Sequence, residues 1–284
     1  MNTTPNPNAK GSYIGELMAN KTFLVVFIAA IALSIFGLDK TRYTSAQFDF
    51  FIWLNDAMQV LPADFWNNLT NLADAAILFP ILSFIAIRNP RMWAALFGAV
   101  PLATLLSRVG KDFFAMPRPA AVLEHDQFHI IAETLTGHSS FPSGHGITIF
   151  TAVFVILVVH FRDQLSLDKP INKLLVSFVA IAGLFIGFSR VAVGAHWPMD
   201  LALAAAVGYM AALSGEYLSR RYLAWWNWMT TKPHIFSLFN LLFPITIIVM
   251  LFKGKLEIIT VVILGLIVGT AVSVYNSVKA FKQA

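Results

Sequence analysis

No cysteine occurs among the 284 residues, which excludes disulfides and thiol chemistry and leaves the redox compartment without a marker. Charge is the second scarcity: Asp, Glu, Lys and Arg together make up 12% of the chain, far too little for an ordinary soluble domain. Internal repeats and long low-complexity tracts are missing as well, so the chain does not read as a repeat array.

What fills the chain instead is apolar. Hydrophobic residues make up 57% of it, and the mean hydropathy is +0.70. The implied fold class is all-α, a polytopic transmembrane bundle. Eight apolar stretches approach the roughly 20 residues that cross a ~30 Å hydrocarbon core. They lie at about 22–38, 69–87, 92–109, 147–161, 173–192, 199–218, 235–252 and 256–275. The second carries Asn71 and Asp74, which a span tolerates when they face other helices. Lys10 and Lys21 ahead of the first resemble the charged region of a signal peptide. "SIFGLDK" offers no small-x-small cleavage site, however, so an uncleaved first helix is expected.

A net charge of +5 would point a soluble chain toward nucleic acid; in a membrane chain it is sorted by loop, and no nucleic-acid partner is expected. With a cytoplasmic N-terminus, twelve Lys and Arg fall inside and eight outside, the bias of the positive-inside rule. The expected organisation is a polar tail at 1–20, a membrane core at 21–220, and an amphipathic linker and transmembrane hairpin at 221–284. "RRYLAWWNWMTTKP" reads as a membrane-surface linker, and "FKGKLE" as the hairpin turn. In the first outside loop, "FDFFIWLNDAM" fits either an interfacial helix or a packing helix.

Polar residues gather where the apolar stretches end. The third runs out into "SRVGKDFFAMPRP", with Lys111 near its end and Arg118 between prolines; basic residues there also serve simply to snorkel or answer the helix dipole. In "FPSGHG", Ser143 is a good helix cap and Gly144 suits the turn. The same helix start would also cradle an anion, with Gly144 permitting close approach and His145 in the first turn. "FSRVAVGAHWPMD" places Arg190, His196 and Asp200 at the next outer break, where Asp200 can reach back to the imidazole or merely complement the dipole. Counting spans puts all these residues on one side. Setting aside Arg108, Lys111, Arg118 and Arg190 leaves four outside cations against twelve inside. Three cations, a helix N-terminus and two histidines describe a pocket for a multiply charged anion with acid, base and nucleophilic capacity.

At these residues the chain resembles the type 2 phosphatidic acid phosphatases, membrane relatives of bacterial acid phosphatases and vanadium haloperoxidases. The family's Lys-x6-Arg-Pro, Pro-Ser-Gly-His and Ser-Arg-x5-His-x3-Asp motifs read here as "KDFFAMPRP", "PSGH" and "SRVAVGAHWPMD", in order. The resemblance covers roughly 20–220, a six-helix core, and leaves the last two spans outside it. It implies that His196 attacks phosphorus, that Asp200 holds its ring, and that His145 protonates the leaving group and then helps water. It further implies that Lys111, Arg118, Ser143, Gly144 and Arg190 hold the phosphoryl oxygens, with no metal and no other cofactor. His125, His129 and His138 lie between the first two motifs, where loop polarity or substrate gating accounts for them.

The expected substrate is a lipid phosphate in the outer leaflet of a cytoplasmic (inner) membrane, with the site facing the periplasm or exterior. Undecaprenyl diphosphate, phosphatidylglycerophosphate, phosphatidic acid and lipid A phosphates all fit by resemblance. Transfer to a lipid acceptor, and anionic-lipid transport, are the competing readings.

Overall fold

The computed structural model describes residues 21–163 and 170–281. The expected N-terminal tail with Lys10, the inside loop at Lys169 and the terminal Lys282 lie outside the described residues. Regular structure among the described residues is entirely helical.

The helices are α1 (Lys21–Phe36), α2 (Lys40–Ser45), α3 (Phe48–Met58), α4 (Ala63–Leu72), α5 (Ala75–Leu82), α6 (Ile85–Arg88) and α7 (Pro90–Phe114). After a long loop follow α8 (Gly144–Asp163), α9 (Pro170–Ala192) and α10 (Pro198–Arg221). Two single turns, α11 (Leu223–Trp226) and α12 (Trp228–Thr231), lead into α13 (Pro233–Phe252) and α14 (Thr260–Phe281).

Among the described residues five segments are long and apolar enough to cross a bilayer: Pro90–Ala121, Pro170–Ala192, Pro198–Arg221, Pro233–Phe252 and Thr260–Lys279. Of the eight expected stretches, those at 92–109, 173–192, 199–218, 235–252 and 256–275 lie on these five segments. Among the described residues the stretch at 22–38 forms α1, Lys21–Phe36, an apolar helix of 16 residues. The stretch at 147–161 lies within α8, Gly144–Asp163, a helix of 20 residues.

The stretch at 69–87 is not one helix. It belongs to two arms, Ala63–Leu72 and Ala75–Arg88, bent by 75°, and they make a sixth span only if counted together. Asp74 is the cause: its carboxylate accepts from the Ala76 N–H at 2.7 Å and so caps α5. A carboxylate that caps free amides costs less than one set against lipid in mid-helix.

In the core, α10 packs between α7 and α8. Lipid supplies no hydrophobic drive between helices, so close contact depends on small residues. A Cβ on Gly215 would overlap the Ala95 carbonyl oxygen and stand 2.7 Å from Ala99 N, so α7 and α10 touch backbone to backbone. Gly215→Leu is expected to lower the thermal midpoint of the purified protein by several degrees, at a cost of about 1–3 kcal/mol. An unchanged midpoint would show that the two helices do not meet there.

α3 is a packing helix rather than a purely interfacial one: Phe51 and Asn55 are buried, while Trp53 is 62% exposed on the other face. The hairpin α13–α14 packs against the broken segment. Ile77 clusters with Ile247 and Val262, and Asn68 Oδ1 accepts from Val261 N at 3.2 Å. Within the hairpin, Ser237 donates to the Ser273 carbonyl at 2.6 Å and lies 2.6 Å from the Ser277 hydroxyl, a polar seam of the kind that joins apolar helices.

Candidate active site

The site is built where helices end. α7 stops when Ala115 adopts a left-handed conformation (φ 42°, ψ 46°), and prolines carry the chain into the loop. Arg118 N–H donates to the Gly137 carbonyl at 3.1 Å, and Ser140 N–H to the Met116 carbonyl at 3.0 Å. These bonds lay the loop's return beside its start, so the first motif comes alongside the second.

Ser143 caps α8. Its Oγ accepts from Gly146 N at 3.2 Å, and its carbonyl from Ile147 N at 2.9 Å. A Cβ on Gly144 would sit 3.2 Å from Lys111 Nζ and 3.6 Å from Ser107 Oγ, so glycine is what lets the ammonium stand over the helix start. That places a cation and the positive end of a helix together.

The third motif turns on Gly194, at φ +74°, where a Cβ would lie 2.7 Å from both the His129 carbonyl oxygen and the Phe128 ring. This turn folds the chain back, and the N–H groups of Ala195 and His196 both donate to the Arg190 carbonyl, at 3.0 and 3.2 Å. Asn55 clamps the same turn, donating to the Val191 carbonyl at 2.8 Å and accepting from His129 N–H at 2.7 Å.

His196 and Asp200 then face each other across the first turn of α10. Both are buried, and His196 Nδ1 lies 2.9 Å from Asp200 Oδ2. Asp200 Oδ2 also accepts from Trp197 N–H at 3.0 Å and Ser140 Oγ at 2.5 Å, while Oδ1 accepts from the Tyr43 hydroxyl at 2.7 Å. On the far side of the ring, Arg118 Nη1 stands 3.3 Å from His196 Nε2. A carboxylate accepts and a guanidinium donates, so these neighbours assign the tautomer: Nδ1 carries the proton and Nε2 presents a lone pair. Burial pushes the His196 imidazole well below its ordinary range, and Arg118, Arg190, Lys111 and His145 push it the same way. The ring is held neutral, with its free nitrogen toward the cations.

Arg190, 7% exposed, donates through Nη1 to Thr70 Oγ1 at 2.6 Å, and its buried Nε has no hydrogen-bond partner among the described residues. His145, one third exposed, lies 3.8 Å from Asp74 Oδ2. Both Thr70 and Asp74 come from the broken segment, so the bend that the sequence hides delivers two side chains to the pocket.

Lys111, Arg118, Ser143, Gly144, His145, Arg190, His196 and Asp200 thus gather at one end of the bundle, through helix ends far apart in sequence. Sequence reasoning missed Tyr43, Thr70, Asp74 and Ser140 as members of this cluster. Only Asp74 carried a signal, an acid inside an apolar stretch. His129 pairs with Asp56 at 3.2 Å and His125 Nε2 lies 3.1 Å from the Ala120 carbonyl, so both serve the loop. Among the described residues no group of three or more His, Asp or Glu is placed to hold a metal ion.

Tyr43 is a positioning residue. Burial, and then the charge of Asp200, push its phenol well above the ordinary value, so it remains a donor. Tyr43→Phe should lower kcat about tenfold with little change in KM, the weight of one hydrogen bond to a charged group. Without that donor, Asp200 holds the His196 imidazolium more strongly, so the acid limb of the pH profile should move to higher pH. A profile that keeps its position would remove Tyr43 from this role.

Much of the chain is similar to known proteins. Residues 92–231 match the PAP2 superfamily. Phosphatidylglycerophosphatase B of Haemophilus influenzae is 29% identical over 210 residues, spanning 57% of this chain and 86% of that protein. A lipid A 1-phosphatase of Rhizobium johnstonii is 33% identical over 120 residues, 40% of this chain and 43% of that protein. The crystal structure of Aquifex aeolicus LpxE superposes with a TM-score of 0.50 at 26% identity, over 60% of this chain and 94% of that one. A PAP2-type phosphatidylglycerolphosphate phosphatase from Bacillus subtilis shares the fold, with a TM-score of 0.51 at 16% identity, over 71% of this chain and 95% of that one. The chain therefore carries a PAP2 superfamily domain.

Proposed function

We propose that this protein is a membrane lipid phosphate phosphatase that works through a phosphohistidine at His196. The observation that carries the reading is the fixed tautomer of that ring, with Nδ1 on Asp200 and Nε2 free beside Arg118. In the first step Nε2 attacks phosphorus, the bond from phosphorus to the lipid oxygen breaks, and His145 gives its proton to that oxygen. In the second, water attacks phosphorus, its proton passes to His145, the P–N bond breaks and inorganic phosphate leaves.

Lys111, Arg118 and Arg190, with the amides above Ser143 and Gly144, stabilise the charge on the transferring group. The unpaired Nε of Arg190 is a ready donor for a phosphoryl oxygen. The substrate is a phosphomonoester or diphosphate of a lipid, in keeping with relatives named phosphatidylglycerophosphatase and lipid A phosphatase. The distribution of basic residues supports a site on the outer face of a cytoplasmic membrane.

The test is release of inorganic phosphate from lipid phosphates by purified wild type and His196→Ala, with no acceptor lipid present. Release by the wild type alone supports hydrolysis at His196. Consumption of substrate only when a lipid acceptor is added would replace hydrolysis with transfer, and equal activity in both proteins would overturn the assignment.

A further inference from the structure

The broken segment sets a second carboxylate against a second histidine. Asp74 closes the bend between α4 and α5, and its two oxygens have different surroundings. Oδ1 accepts from Ala76 N–H at 2.7 Å, which fixes the carboxyl group at the head of α5. Oδ2 lies 3.8 Å from Nε2 of His145, in the first turn of α8. The two side chains are 27% and 33% exposed, so neither is sealed in the core. At 3.8 Å the pair is an ion pair rather than a hydrogen bond, and catalytic contacts of this length tighten when substrate arrives.

The charge balance around His145 gives this carboxylate its weight. Lys111 from α7, Arg118 from the loop and Arg190 from the last turn of α9 all act on the imidazole, and His196, just ahead of α10, is near enough to interact with it. Cations disfavour a second proton on the ring, whereas a carboxylate within about 4–6 Å favours one. An imidazole that donates a proton in one step and accepts one in the next needs both forms within reach. Asp74 is placed to offset the cations. The contact also separates the two ring nitrogens: His196 is held at Nδ1 and works through Nε2, but Asp74 approaches His145 at Nε2 and leaves Nδ1 for the exchange.

We propose that Asp74 is a positioning residue for His145, holding its Nε2 proton so that Nδ1 is the nitrogen that gives and recovers the catalytic one. The inference rests on the phosphatase reading and assigns a partner to its proton donor. As the bond from phosphorus to the lipid oxygen breaks, the Nδ1 proton moves to that oxygen and the imidazolium becomes a neutral ring that keeps its Nε2–H toward Asp74. As water attacks the phosphohistidine, its proton goes to Nδ1 and the imidazolium is restored.

Asparagine caps a helix as well as aspartate does, so Asp74→Asn keeps the bend and removes the charge. The test measures kcat/KM of the purified full-length wild type and Asp74→Asn on two phosphate monoesters. One is a diacylglycerol phosphate, whose alcohol needs a proton to leave; the other is a nitrophenyl phosphate bearing an alkyl chain, whose phenolate leaves without one. The variant should lose about tenfold more on the first than on the second. On the diacylglycerol phosphate its alkaline limb should also move to lower pH, because without the carboxylate the imidazolium gives up its proton earlier. Equal losses on both esters, or a limb that keeps its place, overturn the proposal: Asp74 would then act through Arg190, whose charge it also faces, or only as a cap. Asp74→Ser, an uncharged cap of similar strength, carries the same two readouts if the asparagine variant does not fold. Such a failure leaves His196-dependent phosphate release by the wild type intact, whereas absence of that release from both esters sinks the phosphatase reading and the pairing together.

Discussion

His196→Ala should cut phosphate release by at least about 10³-fold while leaving the protein folded and inserted. The size follows from the geometry: His196 Nε2 is the lone pair beside Arg118, and Asp200 holds Nδ1, so removing the ring removes the nucleophile rather than weakening it. A pH dependence belongs to the same argument. The reactive form is the neutral ring, and burial together with the surrounding cations depresses its pKa. A base with a depressed pKa is fully neutral at and above the ordinary value and is lost only as pH falls through the lower one. The acid limb of kcat/KM should therefore lie below about pH 6.5, the ordinary imidazole value. A limb at or above that value, or a variant within tenfold of wild type, would contradict the assignment.

Asp200→Asn is the second large effect, expected to lower kcat about 10³–10⁴-fold. Four donors converge on this carboxylate: His196 Nδ1, Ser140 Oγ, Trp197 N–H and the Tyr43 hydroxyl. An amide has a donor end, and in either orientation that end meets one of them. Turned toward His196, it drives the imidazole proton to Nε2 and extinguishes the lone pair that attacks phosphorus. Turned toward Tyr43, it leaves a buried hydroxyl opposed by an NH₂ group, at a cost of about 1–3 kcal/mol. Phosphate release and the thermal midpoint, measured on the same preparation, separate these outcomes. A variant with near-normal turnover would mean that Asp200 does not set the tautomer.

The basic residues and histidines of the pocket were legible in the sequence because each sits at the end of an apolar stretch, and several such ends share motifs of one family. Counting the stretches then placed Lys111, His145 and His196 on one side. Asp200 was legible for a local reason, being one helical turn from His196. Tyr43 was not: 157 residues separate it from Asp200, and a tyrosine near the end of an apolar run has many ordinary explanations. The bend at Asp74 escaped for a different reason. Hydropathy averages over a window longer than a cap, so two short helices meeting at a carboxylate look like one continuous span. Thr70 was out of reach as well, since its bond to Arg190 exists only because of that bend.

The broken segment carries a consequence for the last two helices. Thr70 and Asp74 lie outside the stretch that matches the PAP2 superfamily, and the face of α5 turned away from the pocket rests on Ile247 and Val262. The matched stretch is thus not a portable module: a graft keeping every motif residue but lacking the hairpin would leave the arm bearing Thr70 and Asp74 without its backing.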